Sequence, residues 1–144
     1  MSNKPVVEAL KCVLADNYSL YLKTQNYHWN VEGPQFPSLH ALFMAQYTDL
    51  AIAIDDAAEL IRGHGEKAPG TFAAFSKSNI KPGNENATAT QMVKDLAKDQ
   101  EIISKTLEKA LAIAQKANDE VVADYMIQRL TVHRKAAWML KSSV

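Results

Sequence analysis

Cysteine is almost missing from this chain of 144 residues, and the one present, Cys12, excludes any disulfide within the chain. It reads as a small apolar filler on a helix rather than as a reactive thiol. No apolar run approaches the roughly 20 residues that cross a bilayer. The opening MSNKPVVEAL has neither the basic nor the apolar block of a signal peptide. An excess of charge of one sign is missing too. Lys plus Arg and Asp plus Glu number 16 each, so no global field draws the chain onto nucleic acid or an anionic membrane. There is no Gly-rich phosphate loop, CxxC pair or Ser/His/Asp order. The expectation is a soluble, cytoplasmic protein of one domain over residues 1–144, large enough to build a real core.

Glycine and proline are scarce, and they cluster at 33–37 (GPQFP) and within 63–83. Apart from Pro5 at the start of the first, four long stretches are left without helix breakers. The first runs from about Lys4 to Val31, with Val7, Leu10, Leu14, Tyr18, Tyr21 and Gln25 at steps of three and four. The second starts near Pro37, a favourable first-turn residue, and ends near Gly63; its stripe is Leu39, Phe43, Tyr47, Leu50, Ile54 and Ile61. The third follows Thr88, which can form a capping box with Gln91, and Met92, Leu96, Ile103, Leu107, Leu111 and Ala114 carry it to about Lys116. The fourth starts at the N-cap Asp119 and runs through Val122, Met126, Leu130 and Leu140. No internal repeat, low-complexity tract or strand-like alternation interrupts them. The pattern predicts an all-α four-helix bundle, with a long crossover between the second and third helices carrying a short extra helix at 71–76 (TFAAFS).

Four residues of metal-ligand type stand out: His28, His40, Asp55 and Glu59. His40 and Asp55 share the second helix, and fifteen residues at 1.5 Å each separate them by roughly 22 Å. No single ion reaches across that distance. On a helical wheel with Leu39 at zero, the apolar stripe centres at about 40°, His40 falls at about 100°, Asp55 at about 160° and Glu59 at about 200°. The carboxylates therefore face away from their own bundle, and His40 sits on the shoulder of the core, one short connection from His28. The residues form two half-sites, histidines at one end of a helix hairpin and carboxylates at the other. A two-fold axis pairing two chains antiparallel would complete two sites per dimer. An i, i+4 acidic pair on an exposed face is also the ordinary pattern of a solvated stripe, and a lone histidine on a helix shoulder is often just a hydrogen-bonded core residue. No Glu is followed three residues later by His, which argues against a di-iron or haem site inside one bundle. His64, between Gly63 and Gly65, reads as a helix-end residue suited to the dipole. His133 reads as a partner for a neighbouring side chain, and Trp138 as core or interface. Trp29, beside His28, is either a packing residue or an indole placed to take a stray oxidising equivalent.

The chain resembles the Dps family, the DNA-binding proteins from starved cells, or mini-ferritins. The resemblance rests on residues 18–36 (YSLYLKTQNYHWNVEGPQF), 39–43 (LHALF) and 55–62 (DDAAELIR), with support from 69–75 (PGTFAAF) and 129–141 (RLTVHRKAAWMLK). It implies a ferritin-like fold, a dodecameric shell and a ferroxidase centre at each two-fold interface, with His28 and His40 from one chain and Asp55 and Glu59 from the other. It further implies an iron-storage and oxidative-stress enzyme that oxidises Fe(II) with hydrogen peroxide, or less efficiently dioxygen, and stores ferric oxide. Tyr27 and Trp29 are then radical traps, and Asp119 and Asp124 resemble acidic residues of iron-entry pores. The family location is the cytoplasm, with association with the bacterial nucleoid.

Two departures bear on function. Many relatives carry an acid four positions after the second histidine, where this chain has Met44, and a thioether does not replace a carboxylate for Fe(III). Relatives that coat DNA often carry a Lys/Arg-rich tail, whereas the terminal segments here offer only Lys4 and Lys141. With so few phosphate contacts, DNA binding is expected to be weak or absent. The alternative reading is a structural, DNA-protecting shell with a vestigial metal site.

Overall fold

The structure, a computed structural model, describes residues 3–144; Met1 and Ser2 of the N-terminal segment read above lie outside the described residues. Among the described residues five helices follow one another: α1 (Lys4–Asn30), α2 (Phe36–Gly63), α3 (Phe72–Phe75), α4 (Ala89–Lys116) and α5 (Glu120–Lys141). Four are long, and α3 is the single turn in the crossover. The ends follow local chemistry. The Thr88 hydroxyl accepts from the Gln91 amide while the Gln91 side chain accepts from the Thr88 amide, so the capping box forms in full. Asp119 caps α5 by accepting from the Val122 amide at 3.1 Å. Between α4 and α5 the chain reverses through Asn118 at φ 57°, a left-handed conformation that Asn tolerates better than most side chains. The second helix begins at Phe36, one residue before Pro37, which sits in its first turn.

Cross-helix contacts give the directions. His28 meets His40 and Tyr21 meets Tyr47, so α1 and α2 are antiparallel. Asp16 meets Thr106 while Lys23 meets Asp99, so α1 and α4 are antiparallel. Arg129 bonds Asp49 and the Tyr125 hydroxyl bonds the Ala53 carbonyl, so α2 and α5 are antiparallel as well. It follows that α2 and α4 run in the same direction, and the segment 64–88 must travel the length of the bundle to join them. Asp16 holds this crossover from within α1: its carboxylate accepts from the Asn79 backbone N–H at 2.8 Å, the Asn79 amide at 3.2 Å and the Thr106 hydroxyl at 2.7 Å. Phe75 of α3 stacks on Tyr18 at 4.8 Å.

The core is the sum of the four stripes: Leu10, Leu14 and Leu20 of α1, Leu39, Phe43 and Ile61 of α2, Met92, Ile103 and Leu107 of α4, and Met126 and Leu140 of α5 are all buried. One sequence expectation is corrected and a second is narrowed. Cys12 fills no core position; it lies exposed on the outer side of α1, while Val13 and Leu14 take the inward positions. Of the two readings of Trp138, core or interface, the core is excluded: 64 % of its surface is open, because Ala136 and Leu140 occupy the inward face of α5 there.

Candidate metal centre

The structure brings His28 and His40 together. Their rings stack at 3.7 Å between centroids and 14° between planes. Each ring is held by the other's backbone: His28 Nδ1 lies 2.7 Å from the His40 carbonyl oxygen, and His40 Nδ1 lies 2.7 Å from the His28 carbonyl oxygen. A carbonyl oxygen only accepts, so both Nδ1 atoms must carry hydrogen, and in the neutral rings both Nε2 atoms keep their lone pairs. This is the arrangement by which an outer hydrogen bond orients a metal-ligating imidazole. Aromatic rings brace the pair from both sides. Phe36 stacks on His40 at 4.8 Å and Tyr47 meets His28 edge-on at 5.2 Å. Helix α1 supplies one histidine from its last turn and α2 the other from its second turn, so the short connection 31–35 sets their approach.

The acidic half-site lies far down α2. Asp55, Asp56 and Glu59 are all exposed, and their ligand oxygens lie within 4.8 Å of one another. Sequence reading singled out Asp55 and Glu59 and passed over Asp56; the plain adjacency of two aspartates was the available signal. Asp56 and Glu59 also line a groove between α2 and α5 that includes Asp124. The histidine pair and the acidic group do not meet within the chain, being separated by roughly 22 Å of helix. The donor set nevertheless fits a ferrous and ferric ion. Imidazole nitrogen suits Fe(II), and carboxylate oxygen stabilises the harder Fe(III).

The other residues named from the sequence are placed as follows. Tyr27 is buried, and its hydroxyl donates to Asp95 Oδ2 at 2.6 Å while accepting from the Asn84 amide at 3.2 Å. Burial first, then the hydrogen bond to Asp95, pushes its phenol up to about 12. The same Asp95 and its neighbour Asp99 grip Lys23, at 3.1 and 2.7 Å. Only 4 % of Lys23 is exposed. This buried cluster was not anticipated, since a lysine in a helix read from sequence alone looks like a surface charge. Trp29 lies open at 62 % exposure, on the rim of a cavity of about 610 Å³ between α1 and the crossover, with Leu22, Phe72 and Pro82 among its lining. Asp119 and Asp124 line one pocket with Asn118 and Glu120 at the α4–α5 turn. Asp119 is doubly engaged, capping α5 through Oδ1 and pairing with His64 Nε2 at 2.9 Å through Oδ2. His64 thus closes α2 against the start of α5. His133 is a buried partner, bonding Gln100 at 2.6 Å and Arg129 at 3.1 Å. Met44 is half-exposed, one turn beyond His40.

Comparison with known proteins agrees with this architecture. The ferritin-like domain model matches residues 7–144. The DNA protection during starvation protein 2 of Bacillus anthracis is 38% identical over 141 residues, covering 97% of each chain. The crystal structure of Dps from Staphylococcus aureus superposes with a TM-score of 0.94 at 36% identity, covering 99% of this chain and 96% of that one. The Dps protein from Vibrio cholerae O1, described as a member of a broad superfamily of ferritin-like diiron-carboxylate proteins, superposes with a TM-score of 0.92 at 28% identity, covering 96% of this chain and 88% of that one. With the bundle, its crossover and these matches together, the chain belongs to the Dps family of ferritin-like proteins.

Proposed function

We propose that this protein is an iron-oxidising mini-ferritin: it oxidises Fe(II) with hydrogen peroxide at centres shared between two chains and stores the ferric product inside a dodecameric shell. The observation that carries the reading is the reciprocal histidine clasp. It leaves both Nε2 lone pairs unused by the clasp, and among the described residues no carboxylate of the same chain joins the two histidines in a metal-binding group. A two-fold partner antiparallel to α2 supplies the missing group, as the partner's Asp55 and the partner's Glu59, and receives the reciprocal gift.

In this centre the two imidazoles hold Fe(II), and the carboxylates favour the oxidised ion and so draw the electron out. Two Fe(II) ions and one peroxide, with two protons, give two Fe(III) ions and two waters. Both oxidising equivalents of the peroxide are then spent on iron, and hydroxyl radical is not released. Protection of DNA follows from removing iron and peroxide rather than from coating, because the chain balances 16 basic against 16 acidic residues.

Mixed shells test the sharing. A chain with His28→Ala and His40→Ala, and another with Asp55→Ala and Glu59→Ala, should each lose fast peroxide-dependent iron oxidation, read as the ferric absorbance rise. Co-assembled in equal amounts, random pairing should restore about a quarter of the wild-type rate, since half the dimers are mixed and each mixed dimer has one intact centre. A mixture no faster than its inactive parents would overturn the shared centre.

A further inference from the structure

The histidine end of the chain carries a third donor that the iron reading leaves unused. Met44 stands four residues after His40 on α2, one turn along the same face, with half of its surface open. Side chains at this spacing have Cβ atoms about 5–6 Å apart, and two histidines so placed on one helix hold a single zinc ion. Methionine has three rotatable bonds, which let its sulfur turn toward the neighbouring ring. The clasp already fixes the imidazoles. Each Nδ1 hydrogen is donated to the other histidine's carbonyl oxygen at 2.7 Å, so each Nε2 of the neutral rings keeps its lone pair. The two rings stack at 3.7 Å, and Phe36 and Tyr47 wall them with aromatic carbon. Within one chain the donors are therefore two neutral imidazoles and one thioether. Among the described residues the carboxylates that cluster at ligand distance, Asp55, Asp56 and Glu59, lie elsewhere on α2.

We propose that His28, His40 and Met44 form a binding site for Cu(I), complete within a single chain. His40 and Met44 make the chelating pair, and His28 adds the second nitrogen from the stacked ring. A thioether is a soft ligand, and with imidazole it selects Cu(I) over the harder ferrous and ferric ions. Cu(I) has a filled d shell, so it accepts two or three donors without a fixed geometry and needs no carboxylate. Charge points the same way. Three neutral donors offset none of an ion's charge, and the solvation an ion loses beside aromatic walls rises with the square of that charge. A monocation loses least. The site shares the histidine clasp with the proposed iron centre, and it requires neither peroxide nor a partner's carboxylates. Cu(I) and Fe(II) compete for the same Nε2 lone pairs, so a chain that holds copper is closed to iron.

The experiment uses the assembled protein carrying Cys12→Ser, because the exposed Cys12 thiol is itself a Cu(I) ligand. Cu(I) is added anaerobically in competition with the chelator bicinchoninate, and X-ray absorption at the copper edge reads the donor atoms. Each chain should take one Cu(I) from the chelator and hold it through nitrogen and sulfur. Met44→Leu, similar in size but without a donor, should lose the sulfur signal and weaken Cu(I) binding at least about tenfold. His28→Ala with His40→Ala should abolish stoichiometric binding. Asp55→Ala with Glu59→Ala should keep it, although iron oxidation is lost. The inference is overturned if Cu(I) stays with the chelator, if the sulfur signal persists in Met44→Leu, or if Met44→Leu binds as tightly as its parent. Each of those results leaves the iron reading standing, since ferric absorbance with peroxide tests that reading separately. Copper held in this way by a protein that fails to oxidise iron would instead remove the proposed function and keep the copper site.

Discussion

Burial, reinforced by the Arg129 guanidinium, holds the His133 imidazole down at about 3. The hydrogen bonds explain how it is satisfied without charge. Nδ1–H donates to Gln100 Oε1, and Nε2 accepts from Arg129, whose other partner is Asp49. A second ring proton would face a guanidinium N–H. The linkage sign follows from a folded value below the unfolded one, about 6.5: stability is complete above about 6.5 and drains as pH falls toward about 3, by up to about 1.4 kcal/mol per pH unit for one proton. Asp99 works in the opposite direction. Burial raises it to about 6 against the Lys23 contacts that lower it, so acidification from about 6 to the ordinary aspartate range near about 3.9 adds stability. Urea unfolding at a series of pH values should therefore show a muted loss between pH about 6 and about 4 in the wild type. Asp99→Asn should steepen that loss, and His133→Gln should flatten it. An unchanged slope in His133→Gln would assign acid sensitivity elsewhere. Gly83 gives a second residue-scale prediction. Gly83→Ala brings a methyl to 3.0 Å from the Tyr27 ring, and overpacking of this kind costs about 1–3 kcal/mol. The expected outcome is a lower unfolding midpoint together with a changed Tyr27 environment in near-ultraviolet circular dichroism.

Among the helices, Asp119 separates two roles that the sequence could not. It resembles a pore acid, yet its carboxylate caps α5 and pairs with His64 at the end of α2. Asp119→Ala should therefore cost about 1 kcal/mol of stability through the lost cap, measured by chemical denaturation. Asp119→Asn should keep most of the cap while removing the charge. If slower iron uptake follows Asp119→Asn at unchanged stability, the charge guides iron; if uptake falls only with Asp119→Ala, the residue acts as a cap. The helices themselves were legible because their signals are local. Thr88 with Gln91, Asp119 before Val122, and Pro37 in a first turn each act over three or four residues, and the observed ends fall within one residue of those expected. The crossover was legible as a break, and its short helix proved to be the single turn Phe72–Phe75. The convergence of His28 with His40 could be expected from the hairpin, but not the clasp, because it depends on two carbonyl oxygens that no side-chain pattern encodes. Lys23 between Asp95 and Asp99 was invisible for the converse reason: its partners lie on α4, more than seventy residues along the chain. Trp138 could be read only as core or interface, because a large apolar side chain at helical spacing carries no mark of which molecule covers it.

At the scale of the whole molecule, α2 presents a second apolar face that its own bundle leaves open. Ala41, Met44, Ala45, Thr48, Ala51 and Ile52 are all exposed, and they lead from His40 to Asp55 at steps of three and four. Met44 is 50% exposed and Ile52 64%. Small side chains on such a face let two helix backbones come close. If a partner α2 lies antiparallel so that His40 faces the partner's Asp55, the two-fold axis must pass between Tyr47 and Thr48, and Met44 then faces the partner's Ala51. In the register set by the half-sites, the exposed stripe lies along the seam between them, so apolar packing and ligand chemistry are compatible with one pairing. Ile52→Glu tests that agreement without touching a ligand. It places a carboxylate in the seam on both chains, where like charges are desolvated without partners. The expected result is a shift to monomers in sedimentation velocity, native helicity in circular dichroism, and a fall of at least about tenfold in peroxide-dependent iron oxidation, because each half-site has lost its complement. Monomers that still oxidise iron at the wild-type rate would mean that the histidines and carboxylates act without each other, and the shared centre would have to be abandoned.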